Sequence, residues 1–232
     1  MSHRPNSIGR LAKIAVDDSL VDRTIEFVWD SLSLWRNDPE RENVDGEEEL
    51  NAQLHNFLEV RSREIYYMVF FQHEQRQVKN RRADIAAKST IPVIIKGVTY
   101  NKYRPILVIE GKRLPAPAKA REREYITGGK KLSGGIQRFK LGLHGKDHEK
   151  AITVGYIQKH DVHHWHSQVN DWINELAKSH PAEWTANEKL CEFSTADQNI
   201  RARSVSTHSR PKSHASAPIR LYHFWIQCSI SA

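Results

Sequence analysis

The sequence predicts an α/β (α+β) fold in which a mixed central β-sheet is flanked by helices. Segments with helical periodicity alternate along the chain with short runs rich in β-branched and aromatic residues. The apolar run Ile106–Ile109 is typical of a buried central strand. The 232 residues, 39% hydrophobic and 27% charged, suit either one large globular domain or one domain with appendages.

Three segments have apolar residues at helical spacing. The first follows Asp17 and Asp18 and ends before Pro39. The second is GEEELNAQLHNFLEV, and the third is DVHHWHSQVNDWINELAKSHP. We expect the first to be a packing or dimerisation helix. The apolar stripes are Leu20, Val21, Ile25, Val28, Leu32 and Trp35, then Leu50, Leu54, Phe57 and Leu58, and last Val162, Trp165, Val169, Trp172, Ile173 and Leu176.

The strand candidates are IYYMVFFQHEQ, RRADIAAK, ILVIEGK, AITVGYIQ and IRLYHFWIQ. Residues 89–103 predict a small hairpin or loop. Residues 195–218, rich in Ser, Arg and His, predict either a phosphate-binding loop or a disordered linker, and both alternatives stay open. We therefore expect a helical segment over 1–45, a core over 46–180, and a basic loop with a C-terminal strand packing on the core over 181–232.

Composition narrows the class of protein. No run approaches the ~20 apolar residues of a membrane span, and the first 19 residues lack the apolar core of a secretory signal. Two cysteines are too few for a disulfide framework, so we expect a cytoplasmic protein without a membrane partner. The net charge of +7 favours polyanionic partners such as nucleic acid.

Charged residues interrupt the apolar pattern at one place. Glu110, Gly111 and Lys112 directly follow the buried run, where burial of charge is costly without compensation. Asp84 lies on a neighbouring predicted strand, and Glu47 shares the apolar stripe of the second helix. Asp84 and Glu110, with the Gly111 carbonyl, can hold Mg²⁺. Lys112 can orient a water or help to deprotonate it, and it can stabilise the pentavalent phosphate. This set favours metal-assisted phosphodiester hydrolysis.

These residues resemble the PD-(D/E)XK nuclease superfamily, which has the restriction-endonuclease-like fold. The resemblance covers residues 44–180 and implies a four-stranded mixed core with helices on both sides. Ala83 stands where the family's proline is usually written, and 26 residues separate Asp84 from Glu110. It implies Mg²⁺, with Mn²⁺ as a substitute, Glu47 as an outer or second-metal ligand, and Gln137 as the glutamine of the following helix.

The segment REREYITGGKKLSGGIQRFK predicts contacts with the DNA backbone, because its glycines can expose backbone N–H groups beside basic residues. The candidate contacts are Lys130, Lys131, Arg138 and Lys140. The alternative is a solvated loop. A DNA endonuclease of this family suggests restriction or anti-phage defence, either as a homodimer or as a partner subunit of a defence complex.

Two other readings compete with the nuclease. One is a non-catalytic nucleic-acid-binding subunit with the same fold, and the other is a structural protein whose acids are merely salt-bridged. The histidines of HDVHHWH suit a zinc site by spacing, but we expect ordinary surface positions for them because no further ligand is evident.

Overall fold

A computed structural model describes residues 14–15, 19–77, 81–211 and 217–228. Its centre is a seven-stranded sheet of order β2-β3-β6-β7-β10-β9-β8. The strands are β2 (Val69–Arg76), β3 (Arg82–Ser89), β6 (Pro105–Leu114), β7 (Lys150–Ile157), β8 (Cys191–Ala196), β9 (Arg201–His208) and β10 (Ile219–Gln227). β6, β7 and β10 run parallel to one another, and the remaining pairs are antiparallel. The predicted mixed sheet is confirmed.

Helices cover both faces of this sheet. The helices are α1 (Ser19–Arg36), α2 (Glu47–Ile65), α3 (Gly135–Lys140) and α4 (Val162–Ser179). Residues of α1 and α2 form one buried cluster with one face of the strands, and residues of α3 and α4 form a second cluster with the other face. Helices α1, α2 and α4 bury most of the apolar stripes that the sequence shows, and this burial is the main source of their stability.

A small second sheet lies beside the main one. It pairs β1 (Ile14–Ala15) with β4 (Val93–Ile95), and β4 with β5 (Val98–Tyr100). Lys96 and Gly97 connect β4 to β5, and both have positive φ, as a tight hairpin turn requires. The hairpin expected within residues 89–103 is therefore confirmed.

The C-terminal third differs from its prediction. Residues 195–218 were expected to form a loop, but they contain the end of β8 and all of β9. β10 lies between β7 and β9, so the strands of both predicted segments, 46–180 and 181–232, share one sheet. The strand β9 was not predicted because RARSVSTH is rich in small and polar residues, which are typical of loops. In the structure Ser204, Ser206 and His208 of this strand are all buried.

None of the described helices is long and apolar enough to cross a membrane. Helix α1 packs its apolar stripe into the core rather than presenting it outward, with Ile25, Val28 and Leu32 almost fully buried. The stripe that suggested a dimerisation helix therefore belongs to the fold of the single chain.

His148 gives the fold a pH dependence that can be measured. Burial lowers the pKa of His148 to about 4; the charge of Asp147 partly opposes this shift, whereas the charges of Arg104 and Arg210 add to it. Between pH 6.5 and 4 the unfolded chain therefore binds a proton that the folded chain does not, and stability falls as the pH falls. We expect the wild type to lose about 3 kcal/mol more than His148→Gln between pH 7 and 4. Urea unfolding at both pH values measures this difference, and equal losses would contradict it.

Candidate active site

Asp84 and Glu110 meet between the first residues of β3 and the second half of β6. The antiparallel register pairs Ile85 with Ile109, so the next step along both strands brings Asp84 beside Glu110. The Gly111 N–H donates to Asp84 Oδ2 at 2.8 Å. The carboxylate of Asp84 thus takes the place of a ladder bond, which fixes it at the edge of the apolar run.

Lys112 joins the helical acid to the strand. Its Nζ lies 2.6 Å from Glu47 Oε1 and 3.1 Å from Glu110 Oε1, and it donates to the Gly111 carbonyl at 3.0 Å. Glu47 is the first residue of α2, and its Oε2 accepts the Arg113 N–H at 3.1 Å. The start of α2 is therefore anchored to the end of β6 through one carboxylate.

Glu110 is completely buried and is held by three side chains. Lys112 and Arg138 both reach its Oε1, and His144 Nδ1 lies 2.9 Å from its Oε2. His144 was not predicted, because a histidine in the turn GLHG carries no motif or spacing. The only signal was indirect, since a buried glutamate needs donors from somewhere.

The electrostatics of the site follow from this crowding. Three carboxylates, Glu47, Asp84 and Glu110, face two obligatory cations, Lys112 and Arg138. Burial raises the pKa of Asp84 to about 7, and the charge of Glu110 adds to this rise. Burial alone would also raise the pKa of Glu110, but the charges of Lys112, His144 and Arg138 outweigh it and hold that pKa well below its usual range. Asp84 is therefore the carboxyl that lacks a cation.

Gly111 is required by close packing behind the site. A Cβ at this position would lie 1.9 Å from Asn51 Oδ1 and 2.8 Å from Tyr156 Cε2. Asn51 is itself fixed, because its Oδ1 accepts the Tyr156 hydroxyl at 2.7 Å. This pair forms a wall against which the Glu110–Lys112 backbone lies.

Gln137 does not reach the carboxylates. Its Oε1 accepts the Gly128 N–H at 3.1 Å, and its Nε2 donates to the Gly129 carbonyl at 3.3 Å. The Gly129 N–H donates to Thr127 Oγ1. The N–H groups of Gly128 and Gly129, which were expected to face phosphates, are thus already bonded within the loop.

The four predicted DNA contacts separate in the structure. Lys130 and Lys131 are exposed, whereas Arg138 points inward to Glu110. Lys140 is buried, pairs with Glu188 and lies 4.8 Å from the centre of the Trp184 ring. Lys140 is therefore not available as a DNA contact, because its ammonium group is buried and already paired with a carboxylate.

The donor set suits a hard divalent cation. Among the residues that the structure describes, Asp84 uses only one oxygen in a hydrogen bond. Glu110 accepts one hydrogen bond, from Arg138 to Oε1, whereas its Oε2 lies beside His144 without accepting one. No group of three or more His, Cys, Asp or Glu side chains within these residues is arranged to hold a metal. Mg²⁺ commonly takes only one or two carboxylates and completes its shell with waters and phosphate oxygens, so this pair fits it.

Comparison with known proteins adds no relative. No protein-family model, no curated protein and no solved structure matches the chain. The case for a function therefore depends on the geometry of the site itself.

We predict that Gly111→Ala destabilises the fold by about 2 kcal/mol, because the new methyl group overlaps the Asn51 amide. Asn51→Ala removes the obstacle, and although this variant alone loses the hydrogen bond from Tyr156, it should tolerate Gly111→Ala better than the wild type does. Urea unfolding of the wild type, both single variants and the double variant measures the coupling. Additive losses would contradict the close approach described above.

Proposed function

We propose that this chain is a Mg²⁺-dependent nuclease that hydrolyses phosphodiester bonds of DNA. The observation that supports the proposal best is the convergence of Glu47, Asp84, Glu110 and Lys112 at one end of β6. These residues are separated by up to 65 positions in the sequence. A structural salt bridge needs one carboxylate and one cation, whereas this site gathers three carboxylates around two obligatory cations, Lys112 and Arg138.

Asp84 and Glu110 would hold the metal. A bound Mg²⁺ would supply an activated water and neutralise charge on the phosphate. Asp84 is the better placed of the two, because it is only partly buried and keeps one oxygen without a hydrogen bond to the described residues. The Gly111 carbonyl, predicted as a third ligand, faces Lys112 Nζ instead.

Lys112 supplies positive charge to the reaction. Burial opposes a charged lysine, but the neighbouring carboxylates Glu110 and Glu47 outweigh it and raise the pKa of Lys112 well above its usual range. Lys112 therefore acts as an ammonium that orients the attacking water and stabilises the transition-state phosphate, rather than as a base. Glu47 fixes its position from the start of α2.

The central prediction concerns cleavage of supercoiled plasmid and single-stranded DNA with Mg²⁺ and with EDTA. We expect Mg²⁺-dependent cleavage that falls at least about 100-fold in Lys112→Ala, Asp84→Asn and Glu110→Gln, because each removes a charge aimed at the reacting phosphate. Gel analysis of nicked and linear products measures it.

Two control variants distinguish the effect of changing a site residue from the effect of losing any charge on the protein. Glu48→Gln changes the exposed neighbour of Glu47 in the same helical turn, and Lys102→Ala removes an exposed lysine from the turn before β6. Both should cleave as the wild type does, whereas Glu47→Gln should be slower. Equal activity of Glu47→Gln and Glu48→Gln would remove Glu47 from the site. Wild-type cleavage that persists in EDTA would reject metal dependence.

Metal binding can be tested without cleavage. A ligand at ten times its Kd that binds only the folded chain stabilises it by about 1.4 kcal/mol. For a chain of this length this corresponds to a rise in Tm of about 3–5 °C. We expect Mg²⁺ to produce this rise in the wild type but not in Asp84→Asn. A similar rise in both proteins would place the metal elsewhere.

One observation favours the alternative of a non-catalytic nucleic-acid-binding subunit. Lys112 and Arg138 already compensate the charge of Glu110 at one oxygen, and His144 lies beside the other. A carboxylate compensated in this way is stable without a metal. This alternative predicts salt-sensitive DNA binding with neither cleavage nor the Mg²⁺-dependent rise in Tm.

A further inference from the structure

The glutamine predicted at the catalytic centre instead holds a loop. Gln137 and Arg138 are neighbours on α3, yet they face different targets. Arg138 reaches Glu110, whereas Gln137 binds the backbone of Gly128 and Gly129 with both ends of its amide. One short helix thus ties the loop to the carboxylate site.

The loop itself is a tight, closed turn. A Cβ on Gly128 would lie 2.6 Å from the Ser133 nitrogen, and a Cβ on Gly134 would lie 2.2 Å from the Thr127 Cα. The two ends of the turn are therefore in direct backbone contact. Leu132 has a φ of 52°, a left-handed conformation that is unfavourable for a leucine and persists only where surrounding contacts fix it.

The apex of this turn presents positive charge. Lys130 and Lys131 lie in a single 3-10 turn, Gly129–Lys131, and both are exposed. Among the described residues neither forms an ion pair. The contacts that fix this turn therefore present two exposed ammonium groups to solvent.

A third cation comes from the β2–β3 connection. The Arg81 guanidinium donates to the Lys131 carbonyl at 3.4 Å, and the Gln77 N–H donates to the Arg81 carbonyl at 2.7 Å. Arg81 immediately precedes β3, which carries Asp84 three residues later. The basic turn and the carboxylate are therefore linked twice, through α3 and through the start of β3.

We propose that Gln137 is a positioning residue that holds the Gly128–Lys131 turn as a phosphate-binding surface, which Arg81 completes. The ligand is the phosphate backbone of nucleic acid next to the reacting bond. This inference depends on the proposed function for the identity of the ligand. It differs in the role of Gln137, which acts on DNA only through Lys130 and Lys131.

The test is a double-mutant cycle on binding of a labelled duplex DNA in EDTA, where no cleavage interferes. Lys130→Ala/Lys131→Ala removes both ammonium groups, and Gln137→Met removes the amide while keeping a side chain of similar size. We expect the lysine pair to weaken binding about 10-fold at 0.1 M salt. The slope of log K against log salt should fall by about 1.8, as for two lost phosphate contacts.

The decisive measurement is DNA binding by the triple variant, which combines Gln137→Met with Lys130→Ala/Lys131→Ala. Gln137→Met alone should weaken binding and reduce the salt slope, but it should add nothing further in the Lys130→Ala/Lys131→Ala background. Amide hydrogen exchange of Gly128 should become faster in Gln137→Met and stay unchanged in the lysine variant. Lys102→Ala/Lys178→Ala, which removes two exposed lysines from the β5–β6 turn and the last turn of α4, serves as the charge control.

Two kinds of outcome would overturn the inference. Additive losses, or a lysine pair that binds no worse than the charge control, would remove the turn from the DNA surface. Slower cleavage in Gln137→Met with unchanged binding would return Gln137 to the reaction itself. A wild type that binds DNA with this cycle but never cleaves it with Mg²⁺ would reject the proposed nuclease while supporting the binding surface.

Discussion

The buried charge of Glu110 is the constraint on which the rest of the site depends. A carboxylate without solvent is unstable unless donors surround it, and the penalty amounts to several kcal/mol. The chain meets this need from three directions, with Lys112 on the same strand, Arg138 on α3 and His144 in the turn before β7. The position of α3 and of the turn around His144 is therefore explained by the same charge that interrupts the apolar run.

A second level of organisation follows from Lys112. Because it is buried with Glu110, it can reach Glu47 only where the end of β6 meets the start of α2. Glu47 then accepts the Arg113 N–H, which joins the two elements through backbone as well as side chain. Asp84 is left without a cation of its own, and burial together with the nearby charge of Glu110 raises its pKa. A site in which all but one carboxylate is compensated has a defined place for one more positive charge.

The periodicity of apolar residues and the position of charges within it predicted most helices, most strands and four residues of the site. Glu47, Asp84, Glu110 and Lys112 stand out because each acid or lysine interrupts or shares an apolar pattern, and the structure brings them together. β9 was missed because a strand lying beside a central strand can bury serine and histidine, which resemble loop residues by composition. His144 and the true partners of Gln137 and Lys140 are tertiary contacts, and spacing along the chain carries no information about them. The nuclease function itself stays a prediction.

Gln137 was predicted at the catalytic centre from its position in the sequence, but its contacts in the structure are with the backbone of a loop. The contacts of a glutamine at this point of the helix depend on which polar groups nearby lack partners. In this chain Arg138 already fills the space beside Glu110, while the Gly128 N–H and the Gly129 carbonyl need partners. A buried amide binds where both of its ends are satisfied. The backbone turn, and not the carboxylate cluster, meets that condition.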